Sequence, residues 1–348
     1  GAISLDGNRA FVAVPAQGVV RVIDVNPLSD GFLNEITFVD FSGIGGADIS
    51  GLALSPDGKT LLVSDAGSYQ VHVIDVTTEA PTEYQLTASV GLASGGINGI
   101  VREMAFHPGG DYVYLPVHDS DPAVVLVMDA NPASPAYQTI VSTLTLPGAA
   151  PQEIPVSLSF TPDGERCLVL TAGDIPAPNR SVVMLDASDP AAPVMTTTLP
   201  LGGTAPLSAD KIDVSPRGDR AVASVLEEGY FNIDITTNPD ALSLIQQAGD
   251  LPDHLSTVDN AYAPDASVFY SLSESSDNLL IYDFSTVQGI AILSGDGQTG
   301  VINEPLPRPI QVQVSGSGGS VADVPVTFTV TSGGGYFDDT GSTTHIVT

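Results

Sequence analysis

The chain has 348 residues, 43% of them hydrophobic, which is enough for one large all-β unit or a large unit and a small one. Its net charge of −31 comes from 41 acidic residues against only 10 Lys and Arg, so it reflects missing cations and not acidic runs. Such a surface repels nucleic acid and anionic lipid, whose phosphates are recognised by Lys and Arg; no stretch nears the roughly 18 apolar residues of a membrane span; and the single Cys167 excludes an intrachain disulfide and a thiolate metal site.

The same charge balance is expected in an extracellular, salt-exposed protein, with halophilic adaptation inside a cell as the rival reading. Gly1-Ala2-Ile3-Ser4 has neither the basic nor the apolar part of a signal peptide, so an export signal is read as removed or upstream.

Taken in chain order, one unit recurs. A turn is followed by a β-rich run, a variable loop and a second run that closes on Asp. The turns are Leu5-Asp6-Gly7, Pro56-Asp57-Gly58, Pro108-Gly109-Gly110, Pro162-Asp163-Gly164, Pro216-Arg217-Gly218 and Pro264-Asp265-Ala266, and their third residues lie 51, 52, 54, 54 and 48 positions apart. The closing aspartates are Asp24, Asp75, Asp129, Asp186, Asp234 and Asp283. Pro presets φ and Gly accepts φ > 0, so each turn predicts a hairpin. The runs last four to seven residues, are rich in β-branched residues and lack helical spacing. Each unit therefore reads as four short strands, and an Asp repeated in every unit reads as a turn cap.

A four-stranded sheet cannot bury both faces alone, whereas sheets stacked around an axis cover one another's flanks. The stretch Leu54 to Asp75 resembles the YVTN-type β-propeller repeat of bacterial and archaeal surface proteins, with Leu62-Val63-Ser64-Asp65 and Tyr114-Leu115-Pro116-Val117 in place of the tetrad that names it. The resemblance implies an all-β fold with a β-propeller over residues 1–290. Six blades are visible, and a seventh from upstream sequence stays open.

Residues 291–305 read as a linker, with Gly295-Asp296-Gly297-Gln298-Thr299-Gly300 as a loop. Its Gly-x-Gly-x-x-Gly spacing lacks the strand-to-helix setting of a dinucleotide site. Two alternating runs follow, Ile310 to Val314 and Val324 to Val330, separated by the turn Gly316-Ser317-Gly318-Gly319. Residues 306–348 resemble the opening of a bacterial immunoglobulin-like, adhesin-type domain, incomplete at this length, whose open strand edges invite self-assembly.

No nucleophile elbow, zinc-binding helix, phosphate loop or EF-hand loop occurs, so no catalytic set is assigned. His72 and His107 read as structural, and Cys167 as a buried inert thiol. The loops between the second and third strands of each unit share one face, which collects Asp65, His118, Asp119, Asp121, Asp174, Glu227, Glu228, Glu274 and Asp277. Oxygen-only ligands suit Ca²⁺, with Asp119 and Asp121 the expected pair, although solvated loop acids explain the same residues. The function expected is an extracellular binding or scaffold module for a surface protein or carbohydrate. A lactonase-type propeller enzyme and a surface-layer or filament subunit are the alternatives.

Overall fold

The computed structural model describes the chain apart from residues 45–47, 79, 81, 93–99, 119–121, 147–152, 174–179, 202–208, 226–228, 237–241, 249–256, 274–277, 284–286, 300–303, 317–318, 321–325, 332–335, 337–343 and 348. Every regular element among the described residues is a strand except one 3-10 turn, Pro15–Gln17. The first sheet holds β1 (Ala2–Ile3), β2 (Arg9–Val14), β3 (Val19–Asp24) and β4 (Glu35–Asp40); the second holds β5 (Ile49–Leu54), β6 (Thr60–Asp65), β7 (Gln70–Asp75) and β8 (Gln85–Gly91). The third runs β10 (Ala105–Phe106), β11 (Tyr112–His118), β12 (Val124–Asp129) and β13 (Ile140–Thr145), with β9 (Ile100–Val101) also paired to β11. The fourth holds β14 (Glu153–Phe160), β15 (Arg166–Gly173), β16 (Ser181–Asp186) and β17 (Val194–Pro200). The fifth holds β18 (Ala209–Val214), β19 (Arg220–Val225), β20 (Gly229–Asp234) and β21 (Ser243–Ala248), and the sixth β22 (Thr257–Tyr262), β23 (Val268–Ser273) and β24 (Asn278–Asp283).

Each repeat is thus an antiparallel meander, as its turn chemistry predicts. In every one, the turn's last N–H donates to the carbonyl three residues back, from Gly7 to Ser4, Gly58 to Ser55, Gly110 to His107, Gly164 to Thr161, Gly218 to Ser215 and Ala266 to Ala263. The five glycines have φ between 69° and 83°, and Ala266 follows them at 59°. This is the left-handed region that favours glycine.

Alternation along the strands turns successive side chains to opposite flanks of a sheet, and the flanks pair in sequence. Phe11, Val20 and Val22 of the first sheet meet Leu61, Val63 and Ile74 of the second. Leu62, Val71 and Val73 on the other flank of the second meet Val113, Leu115 and Leu126 of the third. Tyr114, Val125 and Val127 meet Cys167, Val169 and Val183 of the fourth, whose Leu168, Val182 and Met184 meet Ala221, Ala223 and Phe231 of the fifth. The core is therefore a series of seams between adjacent sheets. Each fully buried Val or Leu contributes roughly 1.5–3 kcal/mol there. The innermost strands also converge: Lys211 at the start of β18 lies 3.5 Å from Glu103, which precedes β10 two sheets earlier.

Packing divides the chain into two compact units, Gly1–Tyr262 with Ser271–Leu280, and Ala263–Tyr270 with Ile281–Thr348. In the second, β25 (Val287–Ser294) pairs antiparallel with β26 (Gln311–Gly316), which turns into β27 (Gly319–Ser320). β28 (Val326–Thr329) pairs with β29 (Thr344–Val347). β25 reaches Ser294, into the stretch read as linker, and among the described residues β26 pairs with β25 and β27. At the head of the β25–β26 pair, Gly295 has φ +88°, and a Cβ there would lie 2.4 Å from the Pro309 carbonyl. The Gln298 carboxamide spans that turn, donating to the Gly295 and Arg308 carbonyls.

Candidate functional site

The closing aspartates serve the fold. One carboxylate oxygen accepts the N–H two residues on: Asp24 from Asn26, Asp75 from Thr77, Asp129 from Asn131, Asp186 from Ser188 and Asp234 from Thr236, all at 2.8–2.9 Å. The second oxygen takes a hydroxyl where one follows, from Ser29 to Asp24, Thr82 to Asp75 and Ser134 to Asp129. The Thr82 hydroxyl holds the Asp75 carboxyl below the usual range, and the Ser188 side chain does so for Asp186. The turn aspartates do similar work. Ser4 and the Asn8 backbone pull Asp6 down to about 2, and Thr161 lowers Asp163.

Of the residues expected on the ligand face, Asp65 and His118 are described, whereas Asp119, Asp121, Asp174, Glu227, Glu228, Glu274 and Asp277 lie outside the described residues. Asp65 is not displayed. It is buried, and accepts from the N–H groups of Asp48, Gly67 and Ser68 and from the Ser68 hydroxyl. Burial pushes its carboxyl up, but the Ser68 hydroxyl, the Asp48 N–H and His72 outweigh burial and leave it lowered. A carboxylate so committed has no lone pair to offer a ligand at the rim. His118 ends β11 opposite Ile100 of β9, beside the inner strand.

Sequence reasoning missed the partner of Asp65. His72 places Nε2 3.3 Å from Asp65 Oδ2 and Nδ1 2.8 Å from Ser89 Oγ. The trio has the composition of an acid–base relay, yet the imidazole is fully buried, 5.1 Å from the Phe41 ring of the first sheet. Both ring nitrogens are occupied by side chains of neighbouring strands, so the arrangement ties three strands of one sheet together. His107, read as structural, binds two turns at once: Nδ1 accepts from the Gly109 N–H, and Nε2 lies 3.0 Å from the Gly164 carbonyl of the next repeat. Burial pushes the Cys167 thiol well up, and it sits inert between the third and fourth sheets. Among the described residues no three His, Cys, Asp or Glu side chains stand together as a metal site.

No protein-family model matches the chain, and none of the curated proteins matches it. Solved structures do. Hydrazine synthase of Kuenenia stuttgartiensis is 15% identical with a TM-score of 0.63, over 81% of this chain and 75% of its own. A functionally unknown protein of Desulfotomaculum acetoxidans is 16% identical with a TM-score of 0.60, over 80% and 75%. The Cps50 (Swd1) β-propeller domain of Myceliophteria thermophila is 12% identical with a TM-score of 0.59, over 81% of both chains. At such identities the likeness is one of fold, and with the stacked four-stranded meanders it shows that this chain adopts a β-propeller fold.

Proposed function

We propose that the chain is a non-catalytic binding and scaffold module of an extracellular or cell surface, a YVTN-type propeller joined to an adhesin-like immunoglobulin segment, which works by assembly with its neighbours. One observation supports this reading: the outer flank of the first sheet is open and carries exposed apolar side chains around the Arg21–Glu35 ion pair. Val12 stands in register with Val63, Leu115, Val169 and Ala223, each 0% exposed, yet Val12 is 37% exposed. Beside it on the same flank lie Phe38 at 53% and Ile3 at 55% exposure. On the sixth sheet Leu272 and Leu279 are also exposed. The charge of −31 supports a salt-exposed setting and leaves apolar flanks as the adhesive surface.

The occupant proposed is the flank of a second copy, stacked as adjacent sheets stack within the chain. Such head-to-tail contacts yield rings where the rotation between copies closes and open arrays where it does not. Light scattering across a concentration series is expected to show growing mass in the parent chain and a monomer in the Val12→Glu, Phe38→Glu double variant. A parent chain that stays monomeric at high salt contradicts assembly. Turnover of a sugar lactone, with or without Ca²⁺, contradicts the non-catalytic part.

A further inference from the structure

Between the second and third sheets, at the end that carries the turns, lies a cavity of about 350 Å³. Its floor is apolar, formed by Leu62, Val73, Phe106 and Met128, and its rim carries Asp57, Asp111, Tyr137 and Gln138. The repeat explains why a space exists here. The first residue of each second strand pairs with the closing aspartate, which puts Arg9, Thr60, Tyr112, Arg166 and Arg220 in register.

In the first seam Arg9 reaches across, 2.6 Å from Glu83 and with its guanidinium 5.6 Å from the centre of the Tyr84 ring. In the fourth seam Arg166 donates at 2.7 Å to the Ile235 carbonyl. Counting from the closing aspartates, Tyr137 and Gln138 correspond to Glu83 and Tyr84, and Ala130 to Ile235. The cavity of the second seam is thus the place an arginine occupies in the first and fourth, and Thr60 is too short to fill it. Gly109 lines it where the other turns carry Asp6, Asp57, Asp163, Arg217 and Asp265. The turns are also furthest apart here. A Cβ at Gly110 would clear Pro56 by 3.8 Å, against 2.9 Å from Gly58 to Leu5, 2.6 Å from Gly164 to His107 and 3.1 Å from Gly218 to Pro162.

We propose that this seam binds a small organic cation with an alkyl stem, a guanidinium or primary amine, which enters where the neighbouring seams insert their own arginine. The stem lies on Leu62, Val73 and Met128, where burial of methylene groups is favourable. The charged head meets the rim. Asp111 is exposed and its carboxylate takes no hydrogen bond within the described chain, which makes it the principal acceptor; Asp57 commits one oxygen to the Ser55 hydroxyl and the Lys59 N–H, and its other oxygen lies 3.9 Å from the Lys59 ammonium. The Tyr137 hydroxyl and Gln138 carboxamide add acceptors. Anions are turned away by the same carboxylates. The proposal is independent of how the sheet flanks are covered.

Propylguanidinium is the probe, followed by calorimetry and by NMR of the Met128 methyl, with propanol and butyrate as neutral and anionic counterparts. Saturable binding is expected on the order of millimolar, as suits so small a ligand. Thr60→Arg should abolish it while keeping or raising the melting temperature, because the new side chain takes the site. Asp111→Asn, an exposed change that leaves the fold intact, should weaken binding at least threefold. Absence of binding to the parent chain, undiminished binding to folded Thr60→Arg, or equal binding of propanol would each overturn the proposal.

Discussion

Asn232 sits at a register position that is Val22, Val73, Val127 and Met184 in the first four sheets, all buried. It is itself only 7% exposed, and neither end of its carboxamide finds a hydrogen-bond partner among the described residues. An unmet buried amide costs about 1–3 kcal/mol, so Asn232→Val is expected to stabilise the chain by that order. The melting temperature should rise by roughly 2–4 °C per kcal/mol. The closing aspartates predict the opposite sign. Asp75 accepts both the Thr77 N–H and the Thr82 hydroxyl, and Asp75→Ala removes both bonds, with water taking over at the exposed Thr82 hydroxyl. A loss of about 1–3 kcal/mol is expected in urea denaturation, with an unchanged m-value.

At the level of the turn, the repeat supplies its own control. Gly58 and Gly110 have φ of 71° and 83°, so alanine at either pays about 1 kcal/mol for the left-handed conformation. Only at Gly58 would the added Cβ also strike a neighbour, Leu5, at 2.9 Å. Gly58→Ala should therefore cost more than Gly110→Ala, and thermal melts of the two variants compare them directly. The turns and closing aspartates were legible in the sequence because their chemistry is local: Pro, Asp and Gly act on residues two to four positions away. What fills the seams was not, since Arg9 meets Glu83 and His72 meets Phe41 across the boundary between one repeat and the next. The signal existed in the column Arg9, Thr60, Tyr112, Arg166, Arg220, which shows one short residue among long ones. Position between the second and third strands of its unit puts Asp65 among the loops of the displayed face. The following Ser68, which binds it, marks it instead as an inward cap.

For the whole molecule, charge and turn chemistry pull stability in opposite directions as pH falls. Self-repulsion among 41 acids weakens as they are protonated, which favours the compact state. The lowered carboxyls of Asp6, Asp75, Asp163 and Asp186 act the other way. Their stabilisation is present above the unfolded value of about 4 and is lost as pH falls through their folded values. Stability should hold or rise slightly from pH 7 to about 5 and drop below about 4. In 1 M salt the Debye length shrinks to about 3 Å, so the rise should vanish while the acid drop remains. Urea midpoints against pH at two salt concentrations separate the two terms.

The central claim is that successive sheets circle one axis, so that inner strands two repeats apart come within ion-pair reach. Lys59 and Lys211 are the chain's two lysines, which makes zero-length carbodiimide coupling read by peptide mass spectrometry a clean probe. Lys59 lies 3.9 Å from Asp57 within its own turn and serves as the internal control, while Lys211 lies 3.5 Å from Glu103. The account predicts a cross-linked pair of peptides joining Glu103 to Lys211 at low protein concentration. Coupling of Lys59 to Asp57 with no Glu103–Lys211 product would contradict it.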